Sequence, residues 1–495
     1  MLIHRLSVVN CKLYLKLPVF PVLTIIVQHL IAPLAVSISQ RILIREEPNM
    51  ARRDVLGFLA VVFISFFSGS CVYAAAVNLP QTGQKGCYDK DGAPRSCAGT
   101  GEDGEIRAGL GWPDPRFTVS GDCVTDNLTG LMWTKDANRF GNRTWQQALD
   151  EANVLELCGY PDWRLPNINE FESLIHGGFM EELCGGSACS SPRAWLESMG
   201  FTNVSNQYLS STSYVNNSSI WFVELYGGLV SYYGSKDGGY PVWPVRAASS
   251  RVWKTGQTTS FAAGDDGALK MGAAWPDPRF TVSGDCVTDN LTGLVWTKDA
   301  NIFGELTWQQ ALDDAAGLDL CGHTDWRLPN RKELISLIDY SNYGLALQTG
   351  HPFLFTGVSG NYRYWSSTTS ETLDRVFIVS FSYGYFDGEL KNSTLYLWPV
   401  RGGSGACPGQ TVRIKETDQR FDTVSSAYET ADTDRTIEIQ ADMLLENLNL
   451  ADNKIIALMG GYNCGFTTQS GYTTIVGAIT IGGSGSVEAD RMIIR

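Results

Sequence analysis

The sequence predicts an α+β fold, with two similar domains in tandem and a short β-rich segment after them. Residues 112–175 align without a gap on residues 275–338, with 50 identities in 64 positions. Each copy contains two helical patterns followed by alternating apolar segments, whereas the end of the chain has short apolar runs separated by glycines. Two copies of about 160 residues are too long for solenoid units, and we therefore expect tandem domains.

The first 74 residues are expected to be a leader. A basic start at Met50 is followed by an apolar run over 55–67 and small residues up to Ala74, which is the pattern of a secretory signal peptide over 50–74. The preceding 49 residues contain another apolar stretch, interpreted either as a membrane anchor or as an extension from a misassigned start at Met1. Because a complete signal begins at Met50, the second interpretation is favoured. We expect an exported protein, periplasmic, at the outer surface or extracellular, with no transmembrane helix in its mature part.

The charge disfavours polyanionic partners. The whole chain has a net charge of −14, and the 421 residues after the leader carry 31 basic and 49 acidic side chains. Since phosphate-binding proteins need basic surfaces, nucleic acid is excluded as an expected partner.

Each copy is predicted to begin with two short strands and to continue with two helices. Thr144 is the expected N-cap of a helix reaching Leu157, and Asn167, with Glu170 three residues later, caps a second helix reaching Ile175. Alternating strands follow, and the predicted domain boundaries are 75–250, 251–403 and 404–495.

The ten cysteines after the leader group in twos within these units. The groups are Cys87 with Cys97, Cys123 with Cys158, Cys184 with Cys189, Cys286 with Cys321, and Cys407 with Cys464. Because segments present in only one copy carry two cysteines together, we expect disulfides, although spacing leaves the connectivity open. A thiolate metal site is the alternative, but no C-x-x-C spacing favours it, and no cofactor is expected.

Several motifs recur in the same order in both copies. The first copy has TDNLTGLMW over 125–133 and DWRLPN over 162–167, and the second adds YWSST over 364–368. This order resembles the Lcl C-terminal domain family and covers most of residues 82–402. The first copy departs from it by having YLSST at 208–212. The resemblance implies a secreted or surface domain with a C-type-lectin-like fold. The namesake adhesin domain binds sulfated glycans, a ligand that this acidic chain does not suit.

The segment 404–495 resembles the first turns of a pectin-lyase-like right-handed β-helix. It has a predicted short helix at 421–431 followed by strands, with glycines between them. No lyase residues can be matched, so the resemblance implies architecture and not activity.

The DWR motif has two interpretations, as a ligand contact or as a structural turn. Its residues are Asp162, Trp163 and Arg164 in the first copy and Asp325, Trp326 and Arg327 in the second. The structural interpretation is favoured, with tryptophan packed in the core and arginine bonded to carbonyls or a carboxylate.

Aromatic residues close to lysines are the candidate ligand-binding residues. They are Tyr232, Tyr233 and Lys236 in the first copy and Tyr383, Tyr385 and Lys391 in the second. Exposed tyrosines beside cations suit carbohydrate or protein surfaces, and ordinary strand aromatics are the alternative.

Catalytic motifs are sparse. The chain has no H-E-x-x-H, G-x-S-x-G or phosphate-binding loop. Acidic residues beside glycines at 89–92, 102–103 and 265–267 are compatible with a calcium site, and turn formation is the alternative explanation for them. The favoured function is non-catalytic binding or adhesion through two lectin-like modules, with a glycan, an envelope polymer or a surface protein as partner. The alternatives are an enzyme acting on envelope polysaccharide or protein, and a purely structural surface protein.

Overall fold

The described part of the computed structural model comprises residues 8–9, 12–15, 23–24 and 77–494, apart from 185–186, 216–217, 359–361, 371, 403–411, 422, 441–442, 463–465, 467–468, 470–472, 477 and 483–485. The chain divides into two compact units, Met1–Val72 and Tyr73–Arg495. In the first unit, β1 (Val8–Val9), β2 (Lys12–Leu15) and β3 (Leu23–Thr24) form an antiparallel sheet. The predicted signal peptide at 50–74 lies outside the described residues.

The second unit is rich in short strands and has few helices, which confirms the α+β class. Within residues 77–250 the elements are β4 (Cys87–Tyr88), β5 (Pro94–Arg95), α1 (Asp103–Ile106), β6 (Phe117–Ser120), β7 (Cys123–Asp126), β8 (Met132–Thr134), β9 (Asn142–Arg143), α2 (Trp145–Asn153), α3 (Ile168–Ser173), the 3-10 turn Phe179–Glu181, β10 (Leu183–Cys184), β11 (Ser187–Ala188), α4 (Pro192–Ser198), β12 (Gln207–Ser213), β13 (Ser219–Glu224), β14 (Leu229–Ser235), β15 (Tyr240–Pro241) and β16 (Val245–Arg246).

The second copy repeats this order with small differences. Its elements are α5 (Asp266–Leu269), β17 (Phe280–Ser283), β18 (Cys286–Asp289), β19 (Val295–Thr297), β20 (Glu305–Leu306), α6 (Trp308–Ala316), α7 (Arg331–Ser336), β21 (Arg363–Thr369), β22 (Arg375–Ser380), β23 (Tyr385–Leu390), β24 (Leu395–Tyr396) and β25 (Val400–Arg401). None of the helices in the described part of the chain combines the length and apolar character needed to cross a membrane.

The predicted helix caps are present, but the helices are shorter than predicted. Thr144 forms a capping box with Gln147, and Asn167 forms one with Glu170. These reciprocal bonds satisfy backbone groups that the first turn of a helix leaves without partners. Helix α2 ends at Asn153 and not at Leu157. The chain leaves the helix there because Leu155 packs beside the Cys123–Cys158 disulfide in a small separate cluster.

One eight-stranded sheet runs through both copies. Its order is β12-β13-β14-β23-β22-β21-β24-β20, and β14 of the first copy pairs antiparallel with β23 of the second at Val230 and Phe386. Each copy also has a four-stranded sheet, β16-β8-β7-β6 in the first and β17-β18-β19-β25 in the second. The largest hydrophobic core contains buried residues from both copies, and each copy also has a smaller cluster around Trp145 or Trp308.

The N-terminal segment of each copy packs on the other copy. In residues 77–112, the Asp103 carboxylate accepts hydrogen bonds from Thr82 of its own segment, at 2.6 Å, and from Thr368 of the second copy, at 2.6 Å. The equivalent Asp266 accepts from Thr255, at 2.6 Å, and from Thr212 of the first copy, at 2.8 Å.

The helix-capping asparagines make a second matched pair of contacts between the copies. The Asn330 side chain donates to the Ala108 carbonyl at 3.1 Å, and the Asn167 side chain donates to the Met271 carbonyl at 3.3 Å. Each N-terminal segment, which we call an exchanged segment, therefore contacts both copies, since the Thr82 carbonyl also accepts from Gly177 of the first copy at 2.7 Å.

The tail has its own core and is built mainly from parallel strands. Its elements are β26 (Val412–Ile414), β27 (Gln419–Phe421), α8 (Val424–Thr430), β28 (Arg435–Gln440), β29 (Met443–Leu445), β30 (Leu448–Leu450), β31 (Ile455–Tyr462), β32 (Thr473–Val476), β33 (Ile479–Ile481), β34 (Ser486–Asp490) and β35 (Met492–Ile494). Strands β28, β31 and β34 pair in parallel, as do β29, β32 and β35, and β30 with β33. Thus each sheet stacks strands from successive passes of the chain, around a separate hydrophobic cluster.

Candidate functional site

Six tyrosines from both copies meet beside the β14–β23 junction, and we call them the tyrosine surface. They are Tyr214, Tyr232, Tyr233, Tyr343, Tyr383 and Tyr385. Four of them are tyrosines that the sequence singled out in separate copies. The other two, Tyr214 and Tyr343, were missed because neither is close to a lysine in the sequence, and each joins the group only through the fold.

Tyr232 is the centre of this group. Its ring centroid lies 4.6 Å from that of Tyr214, 4.3 Å from that of Tyr233 and 5.8 Å from that of Tyr383. Its hydroxyl lies 3.0 Å from the Tyr233 hydroxyl, within hydrogen-bonding distance. Burial and this bond raise the pKa of Tyr232 above its usual range, so the phenol stays neutral and able to donate.

Two of the six tyrosines in the tyrosine surface are exposed, three are partly buried, and Tyr214 is buried. Tyr233 is 74% exposed and Tyr343 is 66% exposed. Beneath them, the buried Trp221 ring contacts Tyr232 at 5.7 Å and the buried Tyr340 at 4.8 Å, measured between centroids. Aromatic rings that are wedged together present a rigid contact area, because little side-chain freedom is left to lose on binding.

The two candidate lysines are directed at tryptophans and not at the tyrosine surface. The Lys236 ammonium group lies 4.0 Å from the centroid of Trp145 and 4.7 Å from that of Phe261. The Lys391 ammonium group lies 4.4 Å from the centroid of Trp308, which is the equivalent of Trp145. Both are cation–π arrangements that cover a buried indole ring.

Lys391 also anchors the exchanged N-terminal segment. It is 3% exposed, and its ammonium group donates to the carbonyls of Tyr88, at 2.8 Å, and Asp89, at 3.0 Å. Burial lowers its pKa to about 8. We therefore leave both lysines out of the candidate site, since their charges are used within the protein.

The DWR residues of the first copy are placed at a turn that joins several elements. Trp163 is buried and donates to the Leu157 carbonyl at 3.2 Å. The Arg164 guanidinium binds both carboxylate oxygens of Glu170, at 2.6 and 2.5 Å, in the bidentate geometry that arginine favours. The Asp162 carboxylate accepts from Arg246 at 2.8 Å, and this bond lowers its pKa.

The second copy repeats these contacts. Trp326 is buried, the Arg327 guanidinium binds both carboxylate oxygens of Glu333, at 2.7 and 2.5 Å, and Asp325 accepts from Arg401 at 2.7 Å. In both copies the three side chains are therefore occupied by contacts within the protein, to a carbonyl, a helix carboxylate and an arginine of the last strand.

Four of the five predicted cysteine pairs are disulfides. They are Cys87–Cys97, Cys123–Cys158, Cys184–Cys189 and Cys286–Cys321. The fifth predicted pair, Cys407 with Cys464, lies outside the described residues. The disulfides at 123–158 and 286–321 tie β7 and β18 to the turns that follow α2 and α6.

The acidic residues considered for calcium have partners within the protein. Asp89 accepts from the backbone of Asp91 and of Ala93, both at 2.9 Å, which is the pattern of an Asx turn. Asp265 caps α5 by accepting from Ala268 at 2.8 Å. Among the residues that the structure describes, no three His, Cys, Asp or Glu side chains converge as a metal site would require.

Three buried charges at the interface between the copies were missed by the sequence analysis. Glu172 of α3 accepts from Arg331 of α7 at 2.9 Å, and the Lys332 ammonium group donates to the Glu172 carbonyl at 3.0 Å. All three side chains are at most 3% exposed. The sequence did contain a clue to these charges, because the two copies differ at several positions of this helix. Ile168 and Asn169 of the first copy align with Arg331 and Lys332 of the second.

The comparisons with known proteins agree with this duplicated architecture. The model of the Lcl C-terminal domain family matches residues 122–246 and 285–401. A search of curated proteins finds no relative that matches this chain. Residues 122–246 and 285–401 therefore belong to the Lcl C-terminal domain family, as two tandem copies of its domain.

Proposed function

We propose that this chain is an exported, non-catalytic binding protein that acts in adhesion by holding a glycan or another envelope polymer. The tyrosine surface carries the proposal, because its exposed rings offer both apolar faces and hydroxyl groups in a rigid arrangement. A sugar ring presents the complementary combination of apolar C–H groups and hydroxyls.

Export is supported by the four disulfides, since such bonds persist in oxidising compartments and are rare in the cytosol. The secretory pattern after Met50 points in the same direction. We therefore place the function in the periplasm, at the outer surface or outside the cell.

The finer fold assignments belong to this proposal. Each copy is proposed to be C-type-lectin-like, on the strength of its helix pair followed by antiparallel strands. The tail is proposed to be the start of a β-helix, because β28, β29 and β30 each stack in parallel on a strand from the next pass of the chain.

A glycan array tests the proposal with the whole chain after the leader. The array includes uncharged, carboxylated and sulfated glycans, and we expect retention of the folded protein by at least one of them. Failure of every glycan to retain it would contradict the glycan role. Release of new reducing ends from any bound polysaccharide would contradict the non-catalytic role and favour the enzyme alternative.

A further inference from the structure

A local twofold axis lies between β14 and β23, where the eight-stranded sheet passes from one copy to the other. The turns before β14 and β23 are equivalent, because Gly228 and Gly384 both lie in the left-handed region, with φ of 71° and 79°. Counted from these glycines, Val230 and Phe386 are equivalent, and these two residues face each other across the β14–β23 ladder. Equivalent residues of an antiparallel pair face each other only where the axis passes between them.

The tyrosines occupy only one end of this ladder. Tyr232 follows Val230 in β14, and Tyr385 precedes Phe386 in β23, so both lie on the same side of the axis. On the other side, the position equivalent to Tyr385 is Leu229. By the same count, the positions equivalent to Tyr383 and Tyr214 are glycine and serine in the other copy.

A β-bulge in the first copy accounts for much of this asymmetry. Tyr232 and Tyr233 lie within the register shift of β14, opposite Trp221 of β13. In β23 the pairing is regular, and Gly388 alone faces Phe377, the equivalent of Trp221. Bulges redirect side chains locally, and this one supplies two tyrosines where the second copy has a single glycine.

The charges near the tyrosine surface do not suit an anionic ligand. Arg363, whose charge acts on Tyr385, is paired with Glu389 at 2.8 Å, and Asp387 adds a negative charge on the same strand. Lys236 and Lys391 face tryptophan rings, and the whole chain is acidic. A carboxylated or sulfated polymer would meet repulsion here and gain little attraction.

From the axis, the bulge and the charges, we infer that the two copies build one composite glycan site per chain, on the tyrosine surface, and that its ligand is an uncharged polysaccharide. This inference rests on the proposed function. It replaces the two lectin-like modules expected from the sequence with one site whose residues come from both copies. Neither copy alone contains the site, because Tyr232 and Tyr233 come from the first and Tyr343, Tyr383 and Tyr385 from the second.

Calorimetric titration of the whole chain tests this inference. The probes are cellohexaose, xylohexaose and chitohexaose, each uncharged, with a heparin-derived hexasaccharide as the polyanion. We expect at least one uncharged probe to bind with a stoichiometry of about one per chain. Tyr233→Ala and Tyr343→Ala should each weaken that binding by about tenfold, as expected for exposed aromatic anchors.

Tyr226→Ala is the matched control. Tyr226 is 68% exposed, similar to Tyr343, and lies in the turn before β14, on the side of the axis away from the tyrosine surface. We expect its affinity to stay within about twofold of the wild type. Because all three side chains are exposed, the variants should also keep the wild-type melting temperature.

The outcomes separate this inference from the proposed function. Two equivalent sites per chain, binding that ignores the tyrosine variants, or binding of the heparin probe alone would overturn the composite uncharged site while a glycan function stands. No binding of any probe, together with a silent array, would overturn both. Dimerisation of the whole protein through the tyrosine surface would overturn the inference as well. Sedimentation would then show a dimer that the Tyr343→Ala substitution dissociates.

Discussion

Asp266 shows how a single buried carboxyl group holds an exchanged segment in place. It accepts hydrogen bonds from Thr255 of its own segment and Thr212 of the first copy, and burial raises its pKa from 3.8 to about 7. Glu170 adds to this rise, whereas Arg164 opposes it. Asp103, its equivalent, has a pKa raised to about 6 for the same main reason. Both contacts therefore combine a satisfied hydrogen bond with a carboxyl group that prefers to be neutral.

The raised pKa of Asp266 predicts a pH-dependent stability. The folded state holds a proton that the unfolded state releases near pH 4, so this contribution is fully present below that pH. It is lost as the pH rises through about 7. We expect wild-type stability to fall relative to that of Asp266→Asn between pH 5 and pH 8, by on the order of 2 kcal/mol. Denaturant unfolding at several pH values measures the difference.

Asp103→Asn provides the comparison for that experiment. Its effect should follow the same direction but reach completion at a lower pH, since its pKa is about 6. Two parallel stability profiles for the wild type and Asp266→Asn across the whole range would contradict the account of these buried carboxyl groups.

The buried charges of Glu172, Arg331 and Lys332, at the interface between the copies, predict different effects on stability for a single and for a triple substitution. Glu172→Ala leaves Arg331 and Lys332 buried without their carboxylate, and should cost about 3–5 kcal/mol of unfolding free energy. The triple variant Glu172→Ile, Arg331→Ile, Lys332→Asn places at each position the residue that the other copy has there. It should be near the wild type or more stable, because none of these three buried charges remains to be compensated. A triple variant less stable than Glu172→Ala would sink this explanation.

At the scale of elements, the sequence predicted those helices and strands that depend on neighbouring residues. The helix starts at Trp145 and Ile168 follow from capping boxes that are readable three residues apart. Strand β34 was missed, because Ser486–Asp490 has only Val487 and Ala489 as apolar residues, and the strand is defined by its pairing with β31. The sequence also could not predict which tyrosines share a surface. Their grouping depends on the pairing of Val230 with Phe386, which are 156 residues apart.

The disulfides should differ in stabilising effect according to the loops that they close. In the chain-entropy picture, a longer closed loop removes more freedom from the unfolded chain. Replacing Cys123 and Cys158, 35 residues apart, by serine should cost about 4 kcal/mol, whereas replacing Cys184 and Cys189, five apart, should cost about 2 kcal/mol. Urea unfolding of both double variants measures the order, and the reverse order would count against this picture.

At the scale of the whole molecule, the exchanged segments make the two copies one folding unit. Removing residues 77–112 leaves both family-matched segments intact but deprives the second copy of its contacts to Asp103, Ala108 and Tyr88. We expect the truncated chain to lose cooperative folding, or to melt far below the full chain, in calorimetry.

Removal of the tail after residue 403 is the control for that truncation. The tail has its own hydrophobic cluster, so the two copies should melt as before without it. An unchanged melting temperature after loss of 77–112 would mean that the exchanged segment is not needed to complete the second copy.

The central claim is that one surface, shared by both copies, holds an uncharged glycan. Hydroxyl-radical footprinting with mass spectrometry tests it most directly, using the whole chain with and without a saturating uncharged oligosaccharide that binds it. The account predicts reduced oxidation of Tyr233, Tyr343 and Tyr383, with Tyr226 unchanged although it is equally open to solvent. Protection elsewhere, with Tyr233 and Tyr343 oxidised as in the free protein, would contradict it.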